Sequence, residues 1–205
     1  MKKIAFLLIG ICLASCSDKK TIVETESKAV STDTIKYFPP KVTDNAFEII
    51  PGERIGLTKL KENVETLSEL GKPDFSDSAM GKSWATWISK DDEKNELNIY
   101  STYKNSEMKE KVVRQIRITS PKFQTPSEIS TGKSLQEAQK AFQDIKLVAK
   151  YTDQKAKNRV EIYDSQVNGI AFEFIQNECA AIIVHTKGKK VIEEYIMLHP
   201  NLEKF

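Results

Sequence analysis

From Ile49 onward the chain changes from scattered polar residues to periodic pattern. Leu57, Leu60, Val64, Leu67 and Leu70 recur at spacings of three and four, which sets them on one stripe of a helix. Its ends are signalled by Thr58 as an N-cap, by Gly71 for a left-handed C-terminal cap, and by Pro73, which blocks continuation. Ser83 to Ile88, Glu96 to Tyr103 and Val112 to Thr119 follow with the alternation of antiparallel strands. The same order returns about 75 residues later. Ser134-Leu135-Gln136-Glu137 has capping-box form, and Leu135, Ala138, Ala141, Phe142 and Ile145 make a second apolar stripe. Arg159 to Asp164, Gly169 to Ile175 and Cys179 to His185 then read as strands. The expected fold is α+β: two tandem units, over 47–126 and 127–205, each of one helix packed on an antiparallel β-sheet. Residue identity between the units is low, with Leu60-Lys61-Glu62 against Leu135-Gln136-Glu137 the best local match, so the repeat rests on element order.

Two features of the strands carry further expectations. With Leu97 and Ile99 buried beside Ile116 and Ile118, the opposite face carries Tyr100, Thr102, Val113, Gln115 and Arg117, and Trp87 joins it if Trp84 and Ile88 point inward. Trp, Tyr and Arg dominate binding hot spots, so Trp87, Tyr100 and Arg117 are the candidate partner-binding residues. The strand ending at His185 is apolar in both registers and needs cover on both faces. Val191, Ile192, Tyr195, Ile196 and Leu198 are the nearest material for it, as a helix or a last strand.

The N-terminus has a different logic. Lys2-Lys3, an apolar run from Ile4 to Ala14 and the small residues before Cys16 form a signal peptide over 1–15, too short to span a bilayer. Leu13-Ala14-Ser15-Cys16 resembles a bacterial lipobox; the resemblance implies diacylation of the Cys16 thiol and cleavage before it, hence attachment to a membrane of the cell envelope, facing the periplasm or the cell surface. Residues 16–46 are the lipid anchor and a polar tether with a span of about 30 Å as a flexible coil. The tether holds Tyr37-Phe38-Pro39-Pro40, which suits packing onto the domain or a short docking segment.

Further on, Pro51-Gly52, Ile55-Gly56 and an amphipathic stretch ending Leu70-Gly71-Lys72-Pro73-Asp74 before a strand hairpin resemble the small envelope lipoproteins of the SmpA/OmlA type and the related β-lactamase-inhibitor-protein fold. The resemblance spans Ile49 to His185 and implies a protein-binding scaffold without catalytic residues.

Composition narrows the function classes. The chain has 205 residues, 40% hydrophobic and 29% charged, enough for an ordinary core. Lys2 and Lys3 account for the formal net charge of +2, so from Cys16 onward basic and acidic side chains balance, which gives nucleic acid no electrostatic footing. Of the three cysteines, Cys12 leaves with the leader, Cys16 takes lipid and Cys179 stands alone, a buried small hydrophobe with no disulfide partner.

Catalytic and ligand motifs are incomplete. Gly81-Lys82-Ser83 and Gly132-Lys133-Ser134 mimic the end of a phosphate-binding loop, but Ser76 and Ser127 stand where its first glycine belongs, so no nucleotide is expected. Cys179 and His185 would share a strand face yet sit about 20 Å apart, too far for a nucleophile–base pair or a shared zinc. His199 reads as a surface or cap residue. Asp91 to Glu96 is a carboxylate-rich hairpin turn without the glycine bend of a calcium loop. The sequence therefore points to a non-catalytic, lipid-anchored binding or assembly module of the bacterial envelope, without cofactor or metal, whose partners are the membrane and an envelope protein. A small-molecule or lipid binder and an envelope hydrolase are the alternatives; an apolar pocket would favour the first, and histidines converging with carboxylates the second.

Overall fold

The computed structural model describes residues 45–153, 157–193 and 202–205. The leader, Cys16, the tether up to residue 44, His199 and the apolar residues Tyr195, Ile196 and Leu198 lie outside the described residues. After a 3-10 turn at Asn45–Phe47 comes a small antiparallel sheet of β1 (Ile49–Ile50), β2 (Arg54–Ile55) and β3 (Thr58–Lys59). The rest is built on one nine-stranded antiparallel sheet. Its strands are β4 (Phe75–Ala79), β5 (Lys82–Ile88), β6 (Glu96–Tyr103), β7 (Lys111–Ile118), β8 (Lys146–Thr152), β9 (Arg159–Ser165), β10 (Ile170–Ile175), β11 (Glu178–His185) and β12 (Glu203–Lys204). Their spatial order is β12-β8-β9-β10-β11-β7-β6-β5-β4.

This overturns the expected α+β arrangement of two helix-on-sheet units. The element order does recur, but as two four-stranded meanders, β4–β7 and β8–β11, that join edge to edge where β11 pairs with β7. The main core spans both sets of strands. Among the described residues, helix is reduced to α1 (Leu135–Ala141) and to 3-10 segments at Asn45–Phe47 and Val64–Leu70.

The helix expected across Leu57–Leu70 fails for a backbone reason. β7 pairs with β11 only through Gln115–Ile118, so the nearer half of that edge is open. The chain at Lys61 and Glu62 fills it: Lys61 N–H donates to Val113 O at 2.8 Å and Val113 N–H to Glu62 O at 3.0 Å. Those groups are no longer available for helical bonds. A shorter 3-10 segment therefore starts at Asn63, whose side chain accepts from Glu65 N–H, and Gly71 ends it at φ 73°. Leu60, Val64 and Leu67 still pack on the core, whereas Leu57 is 74% exposed. The second helix starts at its capping box but stops at Ala141, so Phe142 and Ile145 of the expected stripe lie beyond it. Ser134 and Glu137 form the reciprocal capping box, and the Ser134 backbone and side chain, with Lys133, hold the Glu137 carboxyl down at about 2.

One face of the sheet carries the main core. Phe172, Ile182, Ile118 and Leu97 form one cross-strand row, and Ile170, Val184, Ile116 and Ile99 the next. The small sheet, the 3-10 segment and α1 cover these rows with Ile49, Ile55, Leu67, Ala138 and Phe142. The small sheet seats backbone on backbone: Gly52 N–H donates to Gly169 O at 3.0 Å, and a Cβ on Gly169 would meet His185 O at 2.5 Å. Both glycines sit at positive φ, so no other residue fits this approach without strain.

The other face is covered differently. Ala149, Tyr151, Val160, Ile162, Ala171 and Ile183 form a second cluster with Val191. Val191 is clamped by side chains: its N–H donates to Asp164 Oδ2 at 2.9 Å and its carbonyl accepts from Gln115 Nε2. Asp164 Oδ1 also lies 2.9 Å from His185 Nε2, and all three clamp residues are buried. The last strand, β12, adds to the outer edge of β8 from Glu203–Lys204 and not from the expected segment, of which Val191 and Ile192 lie in a turn. Ending the chain after Lys190 should therefore lower Tm by roughly 5–10 °C in a circular-dichroism melt. It strips one fully buried side chain, worth about 1.5–3 kcal/mol, and leaves buried polar groups of the clamp unmatched. An unchanged melt would show that the clamp carries no stability.

Candidate functional site

Register decides which of the three candidate residues meet. β5 pairs with β6 so that Trp87 lies opposite Leu97 and Trp84 opposite Tyr100. Trp87 therefore extends the apolar row of Ile118 and Leu97, while Tyr100 and Arg117 lie on the other face beside Trp84, Gln115 and Asn98. The expected common patch of Trp87, Tyr100 and Arg117 is corrected on this point, because a one-residue difference in register moves a side chain through the sheet. Nor is the second face free: Tyr100 is 1% exposed, and its ring centroid lies 6.4 Å from that of Trp84.

Arg117 is the centre of a buried polar network. Its Nη2 lies 2.7 Å and its Nε 3.1 Å from Glu173 Oε2, and its Nη1 donates to Asn98 Oδ1 at 2.8 Å and to Glu96. Tyr151 donates its hydroxyl to the same Glu173 oxygen at 3.1 Å, and Asn98 donates onward to Thr86. Burial, the largest single effect, works against the Arg117 charge, but Glu173, with Tyr151 and Glu96, more than offsets it and holds the guanidinium firmly protonated. The pair ties β7 to β10 across the junction strand β11. An arginine enclosed in this way supplies structure, and its surface for a partner is small.

The cysteine and histidine of β11 also separate. The β10–β11 register shifts after Glu173, so Ala180 is an extra residue and Cys179 turns into the main core while His185 faces the clamp. The shared strand face expected for them is thus removed by a β-bulge. Burial first, and then Glu173, push the Cys179 thiol up to about 12. Among the described residues no three His, Cys, Asp or Glu side chains are grouped to hold a metal.

Trp87 remains accessible, and what surrounds it makes the candidate site. A cleft of about 620 Å³ opens at the end of the sheet between the Leu70–Asp74 turn, the β5–β6 turn and the segment after β7. Trp87, Leu97, Ile118 and Phe123 are its apolar lining, and Lys72, Lys90, Lys122, Asp74, Asp91 and Glu96 bring charges of both signs to it. The indole is oriented by donating Nε1–H to Gly71 O at 3.1 Å. Asp74 fixes the wall by accepting from Ile88 N–H at 2.8 Å. On the far wall the Ser89 hydroxyl donates to Asp91 and, with Lys122 nearby, holds that carboxyl below its ordinary value. The cleft thus has an apolar lining flanked by charges of both signs, with the Ser89 hydroxyl held against Asp91 at 2.6 Å. No family model, curated protein or solved structure matches the chain.

Sequence reasoning picked out Trp87 but missed Leu70, Phe123 and the Leu70–Asp74 turn, which contribute only because tertiary folding brings them to the end of β5. Two measurements check this placement. Arg117→Ala should cost about 3–5 kcal/mol by stranding Glu173, seen as a collapsed Tm or loss of folded protein, whereas replacement of an exposed contact residue would be nearly neutral. The Cys179 thiol should resist a polar alkylating reagent at pH 7–8, where almost none of it is thiolate, and react at once in denaturant. Rapid native labelling would place it at the surface.

Proposed function

We propose that the protein is a lipid-anchored, non-catalytic binding or assembly module of the bacterial cell envelope, held to a membrane through acylated Cys16 and recognising an envelope protein at the Trp87 cleft. The anchor is supported by Leu13-Ala14-Ser15-Cys16 behind a charged and apolar leader, and no helix among the described residues is long and apolar enough to cross a membrane. The observation that carries the binding half is the partly buried Trp87 in an apolar lining flanked by three lysines and three carboxylates. A tryptophan held by one hydrogen bond loses little entropy on contact, and the mixed rim selects for register more than for net charge. The charge balance from Cys16 onward agrees with a partner found by fit rather than by long-range attraction. Of the three residues first singled out, Trp87 keeps the contact role; Tyr100 and Arg117 hold the sheet together.

Replacing Cys16 by Ala should release the protein from the membrane fraction; a variant still processed and membrane-bound would remove the anchor assignment. Mild crosslinking of the anchored protein in intact cells tests the cleft. Leu70→Glu, at a 39% exposed position, should cost about 2 kcal/mol of binding, roughly thirtyfold, and deplete the crosslinked partner while the melting curve stays near that of the parent; Trp87→Ala should deplete it too but also lower the melt, because its ring packs on the core. Crosslinks kept at full yield in both variants would place the interface elsewhere.

A further inference from the structure

The two edges of the large sheet are treated unequally. The β8 edge is closed by the chain's own β12, and Arg159 pairs with Glu203 across it at 3.0 Å. The β4 edge is not paired by any described residue, and all five residues Phe75–Ala79 are exposed. Natural edges are usually blunted by charged side chains, above all lysine, by proline or by a bulge, and Asp77 is the one charge on β4. β4 reads Phe-Ser-Asp-Ser-Ala, with neither lysine nor proline and an unbroken register against β5.

The backbone of β4 can be read from its turn. Met80 and Gly81, at φ 51° and 80°, form a two-residue hairpin loop. Such a loop closes on a hydrogen-bonded pair, here Ala79 with Lys82. Alternation then puts Asp77 and Phe75 in bonded pairs with Trp84 and Thr86, and turns the N–H and C=O of Ser76 and Ser78 outward. Two residues thus offer a complete set of donors and acceptors at strand spacing. Phe75, 65% exposed, stands at the end of this edge where a crevice shared with Asp74, Ile88, Lys90 and Lys94 adjoins the Trp87 cleft.

We infer that β4 receives an extended segment of a partner polypeptide as a tenth strand, with a lysine or arginine opposite Asp77 and a large apolar residue beside Phe75. The inference rests on the binding-module reading and names its mode of recognition, strand addition. Charge selects this occupant over a second copy of the chain. Symmetric pairing that bonds Ser76 to Ser78 of another molecule sets the two Asp77 carboxylates directly opposite one another at the closest cross-strand spacing, which is unfavourable. A cation there is favourable instead.

The test uses full-length lipidated protein in detergent micelles and fluorescein-labelled nine-residue peptides of alternating Val and Thr with Lys, Ser or Glu at the centre. The Lys peptide should bind about fivefold tighter than the Glu peptide, and Asp77→Lys should invert the order. Ser78→Pro removes an outward N–H together with the exposed Ser78 Oγ–Ser83 Oγ hydrogen bond and should weaken the Lys peptide about tenfold with the melting curve near the parent's, whereas Ser78→Ala, which removes only the side-chain bond, should leave binding unchanged. Absence of saturable binding, or binding indifferent to Ser78→Pro, overturns the inference. So does a concentration-dependent dimer in sedimentation that Ser78→Pro abolishes, which would assign the edge to a second copy. Cellular crosslinks lost with Leu70→Glu but kept with Ser78→Pro would leave the binding reading standing and refute strand addition.

Discussion

The antiparallel pairing of β7 with β11 holds the molecule together. Ile182 against Ile118 and Val184 against Ile116 turn two meanders into one sheet, and on the reverse face the Arg117–Glu173 pair crosses the same seam. The two sides of the seam are stabilised by different physics. Aliphatic burial on one face is tolerant of direction and worth about 25 cal/mol per Å². The ion pair on the other face is directional and costly to desolvate, so it contributes chiefly by penalising any arrangement that leaves one partner buried alone.

The remaining architecture follows from what that seam leaves open. β11 covers only part of β7, so Lys61 and Glu62 complete the β7 edge and a potential helix is given up for backbone pairing. Joining the meanders also buries β10 and β11 on both faces, so one layer of cover is not enough. The small sheet and α1 supply one layer. On the other side Val191 is caught by Gln115, Asp164 and His185, polar residues in a strand face that is otherwise apolar there.

Accessible chemistry is displaced to the ends and rim of the sheet. The centre is used for cohesion, which is why Tyr100 and Arg117 are enclosed although their residue types suit binding. Trp87 lies one residue before the end of β5, beyond the last residue that β4 pairs, with Gly71 accepting its indole N–H, and stays partly exposed. The cleft beside it and the crevice at the end of β4 adjoin at Asp74 and Ile88.

Local signals in the sequence determined a good deal. The alternation placed six of the strands to within a residue at either end, because a period of two is a local property of the chain. The Ser134–Glu137 capping box and the Gly71 stop were legible for the same reason, each being satisfied within a few residues. The lipobox resemblance of Leu13-Ala14-Ser15-Cys16 likewise rests on a linear pattern, and lies outside the described residues. Tertiary structure alone decided whether the strand sets would build two sheets or one, since the edge pairing of β7 with β11 joins residues more than sixty positions apart and leaves no periodic trace. It also decided faces. The β5–β6 register separated Trp87 from Tyr100, and the bulge at Ala180 separated Cys179 from His185, because alternation fixes which residues share a face of one strand but not how that strand is registered against its neighbours.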